Sequence, residues 1–190
     1  MLPSRDEWMD ALIARHGSEL HQRFSAASVA VCGLGGLGSN IAIALARAGI
    51  GRLLLIDFDR VDITNLHRQQ YKAEQLGRYK TEALRENLAE LLHGADIVCE
   101  AFDDAEAKAM LAGGVLGQLP DCYLVAASGM AGMDTPNTIR TRKITSRFYL
   151  CGDGVSEVSD TTGLFAPRVM LCAAHQAQTV LRILAGEYEV

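Results

Sequence analysis

Up to Ala26 the apolar residues Trp8, Leu12, Ile13, Leu20 and Phe24 recur at roughly helical spacing among Arg, His and Glu, interrupted at Gly17. This predicts one or two amphipathic helices in an N-terminal segment, residues 1–27, packed on the main domain or on a second subunit. The period then changes. Val29 to Cys32 is a short unbroken apolar run, predicted as a strand, and after a cluster of glycines a helical pattern resumes and runs to Ala48. Gly49 and Gly51 bracket Ile50 and close that helix. Arg52-Leu53-Leu54-Leu55-Ile56-Asp57 reads as a buried strand ending in a carboxylate. A polar loop, Phe58 to Tyr71, leads to a charged helix from about Lys80 to Leu92, with Leu84, Leu88, Leu91 and Leu92 on one face.

Asp96 to Phe102 is predicted as the next strand, and Asp103-Asp104 opens a helix to about Leu111, acids in a first turn complementing the helix dipole. Cys122 to Ala127 is a further strand, followed by the loop Ser128 to Gly132. Thr138 to Tyr149 alternates in the manner of a strand or hairpin. Cys151 to Phe165, rich in Gly, Ser, Asp and Thr, reads as a loop, and the apolar helix Arg168 to Ala185 is closed by Gly186. Strands alternating with helices over most of the length imply an α/β fold of Rossmann-like kind. It has a mainly parallel twisted sheet with helices on both faces and ligands at the carboxyl ends of the strands. Residues 28–190 are expected to form one such domain.

The glycines between strand and helix add chemistry to this frame. Gly33, Gly35 and Gly38 fit the G-x-G-x-x-G spacing, with Gly36 between. One glycine makes the turn, one lets backbone approach a phosphate, and one lets helix pack on strand, while the helix N-terminus offers free N–H groups to an anion. Alone, the loop leaves dinucleotide and mononucleotide equally open.

Composition narrows the classes. The net charge of −5 argues against general affinity for nucleic acid or an anionic membrane. No apolar run has transmembrane length, and the N-terminus, with Asp6, Glu7 and Asp10, lacks the pattern of a secretory signal. Cys32, Cys99, Cys122, Cys151 and Cys172 form no C-x-x-C pair, so neither a disulfide framework nor structural zinc is expected, and the compartment expected is cytoplasmic.

Beyond the glycines come Asp57-Phe58-Asp59, Asn65-Leu66-His67-Arg68-Gln69, Gly77-Arg78-Tyr79-Lys80, and Asp103 at a strand end. These motifs, in this order, resemble the bacterial form of the ubiquitin-activating (E1-like) superfamily, and within it the ThiF family in its short variant class. The likeness is dense from Val29 to about Leu111 and thinner across Cys122 to Gly186. It implies adenylation: the carboxylate of a small ubiquitin-like sulfur carrier protein ending in Gly-Gly attacks the α-phosphate of ATP, and pyrophosphate leaves. It further implies thiamine thiazole biosynthesis and a homodimer.

On the same resemblance, Gly35 to Gly38 supply backbone donors and Asp57, with Asp59 beside it, takes the ribose. Asn65, Arg68, Gln69 and Lys80 lie along the phosphates, and Asp103 helps position Mg²⁺. The catalytic candidates are therefore Arg68, Lys80 and Asp103. Plainer roles stand beside these. Asp57 can cap a turn, Arg68 and Lys80 can be surface charges, and Asp103 can be a helix cap with Asp104 as the metal partner. Lys108 reads as an exposed helix residue. Cys151, expected in a polar loop, is a possible reactive thiol or a plain cysteine. Arg15 or Arg23 is a candidate to reach a partner subunit's phosphates or to be surface charge. His175 and Gln176 read either as a pair at a subunit interface or near the carrier's tail, or as a core histidine beside a surface glutamine. Three other functions remain open: a non-catalytic nucleotide- or carrier-binding protein, an NAD-dependent oxidoreductase, and a relative that adenylates a small-molecule or RNA carboxylate.

Overall fold

The computed structural model describes residues 4–87, 96–119, 121–159 and 162–190. Two helices open the chain, α1 (Arg5–His16) and α2 (Ser18–Ala26). A reciprocal capping box starts α1, with Ser4 Oγ accepting from Glu7 N while Glu7 accepts from Ser4 N. Phe24 of α2 is buried in the main core, and the Arg23 guanidinium donates to Ala185 O at 2.9 Å. The second helix thus lies against the last helix of the fold, while the buried Leu12 of α1 stands beside Gly49.

Six strands follow: β1 (Ser28–Cys32), β2 (Arg52–Ile56), β3 (Ile97–Glu100), β4 (Tyr123–Ala127), β5 (Arg140–Lys143) and β6 (Phe148–Gly152). They form one sheet in the order β2-β1-β3-β4-β6-β5, parallel except for the β5–β6 hairpin at one edge. The helices between them are α3 (Gly38–Arg47), α4 (Lys80–Asn87), α5 (Ala105–Gln118) and α6 (Ala166–Ala185). The larger core lies under α3 and α6 and includes Val29, Val31, Ile41, Leu45, Cys99, Val125, Tyr149 and Val180. The smaller lies on the other face, where Ala30, Val98, Leu124 and Ala126 meet α5 through Leu111 and Val115. Among the described residues no helix is long and apolar enough to cross a membrane.

The α/β architecture agrees with the sequence pattern, and three local expectations are corrected. Strand β2 is an edge strand, not a buried one. Leu53 faces the core, whereas Leu54 is 41% exposed and Ile56 50% exposed, because an edge strand has a neighbour on one side only. Helix α5 continues past Leu111 to Gln118 through Gly113, Gly114 and Gly117, positions where an added Cβ would meet nothing within 4 Å. Helix α4 begins at Lys80 as expected, but Leu88, Leu91 and Leu92 lie outside the described residues. The loop expected from Cys151 starts later, because Cys151 and Gly152 belong to β6.

Chain order then decides where a ligand fits. From β1 the chain moves outward to β2, and from β3 it moves the other way to β4, so the crevice between the carboxyl ends of β1 and β3 is the topological switch point.

Candidate functional site

At that crevice β1 ends in the glycine loop. Gly33 has φ +88°, a left-handed conformation, and a Cβ there would stand 2.7 Å from Ala101 O at the end of β3. A Cβ on Gly38 would fall 1.7 Å from Gly33 O. Side chains are excluded at both positions by backbone, and the loop is forced tight against the start of α3. Gly35 differs, since a Cβ there would find only Gln69 Nε2, at 3.9 Å. Backbone left bare at that point is what a phosphate requires.

Asp57, at the end of β2, holds the loop. Its Oδ2 accepts from Leu34 N at 2.5 Å and its Oδ1 from Asp59 N at 2.7 Å. Tyr71 closes the other side, donating its hydroxyl to Leu34 O at 2.7 Å from a buried position that pushes the phenol's pKa well up, with the nearby Asp57 and Asp59 charges adding to the effect. The carboxylate keeps further acceptor sites for a sugar hydroxyl.

The segment after β2 folds back over the glycines. A short helical turn, Ile63–Asn65, is capped by Asp62, whose carboxylate accepts from Thr64 N and Thr64 Oγ1. Arg68 follows on that turn. Its Nη2 donates to Asn65 Oδ1 at 3.0 Å, and its methylenes cover Gly36, where a Cβ would lie 3.1 Å from Arg68 Cγ. Asn40 ties this segment to α3, donating to Gly36 O at 2.5 Å and to Arg68 O at 3.3 Å. Gln69 is buried, and among the described residues its Oε1 has no hydrogen-bond donor. Lys80 is buried at the head of α4 with Nζ 2.7 Å from Asp59 Oδ2. Asn65, Arg68 and Gln69 are thus gathered around the glycine loop, and Lys80 joins Asp59 two residues beyond Asp57.

Asp103 is exposed on the turn between β3 and α5, two residues past the Ala101 that touches Gly33. The cap of α5 is Asp104, which accepts from Ala107 N at 2.8 Å, so Asp103 is not spent on capping. Among the described residues no three His, Cys, Asp or Glu side chains converge as a metal cage. A single carboxylate of this kind suits Mg²⁺, which takes one or two carboxylates and completes its shell with phosphate oxygens and water.

Several side chains differ from their expected settings. Lys108 is not a solvated helix residue, since its Nζ bonds both carboxylate oxygens of Glu100 and Ala127 O, each at 3.0 Å. Burial raises the Glu100 carboxyl above its ordinary range, and the Lys108 charge opposes that rise. His175 and Gln176 reverse the core-and-surface arrangement. Gln176 is fully buried, and half-buried His175 meets Thr141 Oγ1 through Nδ1 at 2.9 Å. Arg23 is engaged by Ala185 O and by Glu19, whereas Arg15 is exposed on α1.

Cys151 is fully buried in β6 under α6, near Thr141 Oγ1 and Thr179 Oγ1 at 3.6 and 4.0 Å, and burial raises its thiol pKa. That setting disfavours a thiolate nucleophile. Cys151 is therefore expected to resist a thiol reagent in the native protein and to react once guanidinium unfolds it. Rapid native modification, mapped by peptide mass, would contradict this placement.

One further cluster went unanticipated. Asp153 and Arg168 form a buried ion pair at 2.5 Å, and Arg168 also donates to Asp134 O, Thr135 O and Thr138 Oγ1. These bonds join the loops after β4 and β6 to the first turn of α6, whose Val169 packs beside Gly36. A carboxylate directly after an apolar strand, with an arginine beside the proline of a helix start, is the sequence signal that could have marked them.

Comparison with known proteins places this geometry. A model of the ThiF family matches residues 9–92. Ubiquitin-like modifier-activating enzyme 5 of Arabidopsis thaliana is 44% identical over 82 residues, covering 43% of this chain and 19% of that protein. The tRNA threonylcarbamoyladenosine dehydratase of Bacillus subtilis (strain 168) is 39% identical over 83 residues, covering 43% of this chain and 33% of that protein. The chain thus matches from about a fifth to a third of the length of these curated relatives. Among solved structures, E. coli tRNA N6-threonylcarbamoyladenosine dehydratase in complex with ATP superposes with a TM-score of 0.83 at 21% identity over 98% of each chain. E. coli MccB superposes with a TM-score of 0.68 at 18% identity over all of this chain and 64% of that one. The structural likeness establishes the fold.

Proposed function

From a chain that carries a ThiF-family domain in an E1-like fold, we propose an ATP-dependent adenylyltransferase acting on the C-terminal carboxylate of a small ubiquitin-like sulfur carrier protein ending in Gly-Gly. The observation that supports this reading is the gathering of bare glycine backbone, Arg68 and Gln69 at one switch-point crevice, with Asp57 at its side and Lys80 and Asp103 on the segments flanking it.

The physical problem in such a reaction is bringing one anion onto another. A carboxylate oxygen attacks the α-phosphorus, a P–O bond forms as the bond to the β-phosphate oxygen breaks, and the electron pair leaves on pyrophosphate. The N–H groups of residues 35–38 and the dipole of α3 face the triphosphate. Arg68 supplies a fixed planar charge, and Lys80 keeps N–H donors beyond the one given to Asp59. Asp57 receives the ribose hydroxyls. Mg²⁺, carried on the phosphates and met by Asp103, would supply positive charge against that growing on the leaving pyrophosphate. A hydride-transfer site has no triphosphate to neutralise, so these cations weigh against an NAD-dependent oxidoreductase.

The pathway we propose is thiamine thiazole formation, in the cytoplasm, by a homodimer in which Arg15 is the candidate to reach across subunits. The test is carrier-dependent exchange of labelled pyrophosphate into ATP, using candidate Gly-Gly carriers with Mg²⁺ and the Asp103→Ala variant alongside. Exchange is expected to require both the carrier and Asp103. ATP binding without exchange for any carrier would instead favour a non-catalytic binding protein or another carboxylate, including one borne on RNA.

A further inference from the structure

We propose that Lys108 and Gln176 are positioning residues that clamp the carboxyl ends of β3 and β4 from opposite faces of the sheet and so fix the Asp103 turn against the phosphate loop. The inference rests on the adenylation reading above. The paired register of β3 and β4 ends at Cys99 and Val125. Past that point the strands separate, and side chains replace the ladder. From α6, the buried Gln176 Nε2 donates to Glu100 O and Val125 O, each at 3.0 Å. From α5, Lys108 Nζ donates to Glu100 Oε1, Glu100 Oε2 and Ala127 O, each at 3.0 Å. An ammonium has three donors, so these contacts occupy Lys108 fully and its influence on a ligand passes through the residues it holds.

Those residues lead directly to the site. Glu100 Oε1 also accepts from Phe102 N at 2.7 Å, and Ala101 N donates to Cys32 O at 2.7 Å while Ala101 O lies against Gly33. At the far side Asp104 caps α5. Asp103 therefore sits on a turn anchored at both ends, and a carboxylate held this way needs little ordering when it meets a metal-bound phosphate. Replacing Lys108 leaves Glu100 without its countercharge and frees Phe102 to move, which displaces Asp103 without touching Gly33–Gly38, Asp57 or Arg68.

The experiment measures ATP affinity by calorimetry with excess Mg²⁺ and again with EDTA. Wild-type protein is expected to bind ATP more tightly with Mg²⁺. Lys108→Met is expected to keep its affinity in EDTA within about twofold and to lose roughly tenfold or more of the Mg²⁺-dependent gain, the scale for outer partners of a metal ligand. Lys108→Arg is expected to restore most of it. If Lys108→Met fails to fold, the paired variant Glu100→Gln with Lys108→Met, which buries no lone charge, and Gln176→Met carry the same measurement. An unchanged Mg²⁺ gain in the folded variants, or equal losses with and without Mg²⁺, would overturn the clamp. A wild-type protein that does not bind ATP, or is indifferent to Mg²⁺, would overturn the adenylation reading itself, a result seen before any variant is made.

Discussion

Replacing Arg68 with alanine is expected to slow pyrophosphate exchange by about 10²–10³, the scale for removing one preorganised charge-stabilising group. Its guanidinium is already oriented by Asn65, and its methylenes lie on Gly36, so the charge is in place before ATP arrives. Little reorganisation is then needed as charge moves to the leaving group. Arg68→Lys keeps the charge but loses the planar fork, so recovery should be partial. Because Arg68 also covers Gly36, the thermal midpoint of each variant must be followed with the rate. A rate unchanged in a folded Arg68→Ala variant would remove the residue from the phosphate site.

Arg168→Ala is expected to cost about 3–5 kcal/mol of stability, the range for breaking a buried ion pair from one side. Both partners are buried, and the variant leaves the Asp153 carboxylate with only the donors on the 153–156 turn. Burial alone would raise the pKa of this carboxyl. The N–H groups of Ser156 and Val155, with the Ser156 hydroxyl and Arg168, outweigh it and hold the value at about 2 against an ordinary 3.8. A folded pKa below the unfolded one means stability present above about pH 4 and lost as pH falls toward 2. The deficit of Arg168→Ala should accordingly be largest at neutral pH and shrink on acidification through that window. Urea unfolding at pH 7 and at pH 3 measures it. A deficit below about 1 kcal/mol at pH 7 would mean that the pair does not hold the α6 start in place.

Much of the candidate site was legible in the chain because its parts are local or carried by spacing. Gly33 and Gly38 are glycines for reasons that act within a few residues and at one strand end, and Asp57 follows directly from where β2 stops. The family resemblance placed Arg68, Gln69 and Asn65 together, and the structure gathers them around the loop. Cys151 was misplaced because residues 151–165 have a loop-like composition as a whole. The pairing that draws its first two residues into β6 comes from Ala127 of β4 and Thr141 of β5, which no window around Cys151 contains.

The order of residues is enough to fix the alternation of strands and helices, the glycine turn and the helix stops at Gly49 and Gly186. The folded arrangement is needed to settle which apolar strand is an edge, which cations are spent on buried carboxylates, and which of His175 and Gln176 faces inward. The reason is the range of the interactions. Periodicity, capping and positive φ are settled within a turn or two of chain. The partner of Lys108 depends on how α5 returns to the sheet, and that of Arg168 on where the loops after β4 and β6 meet the start of α6.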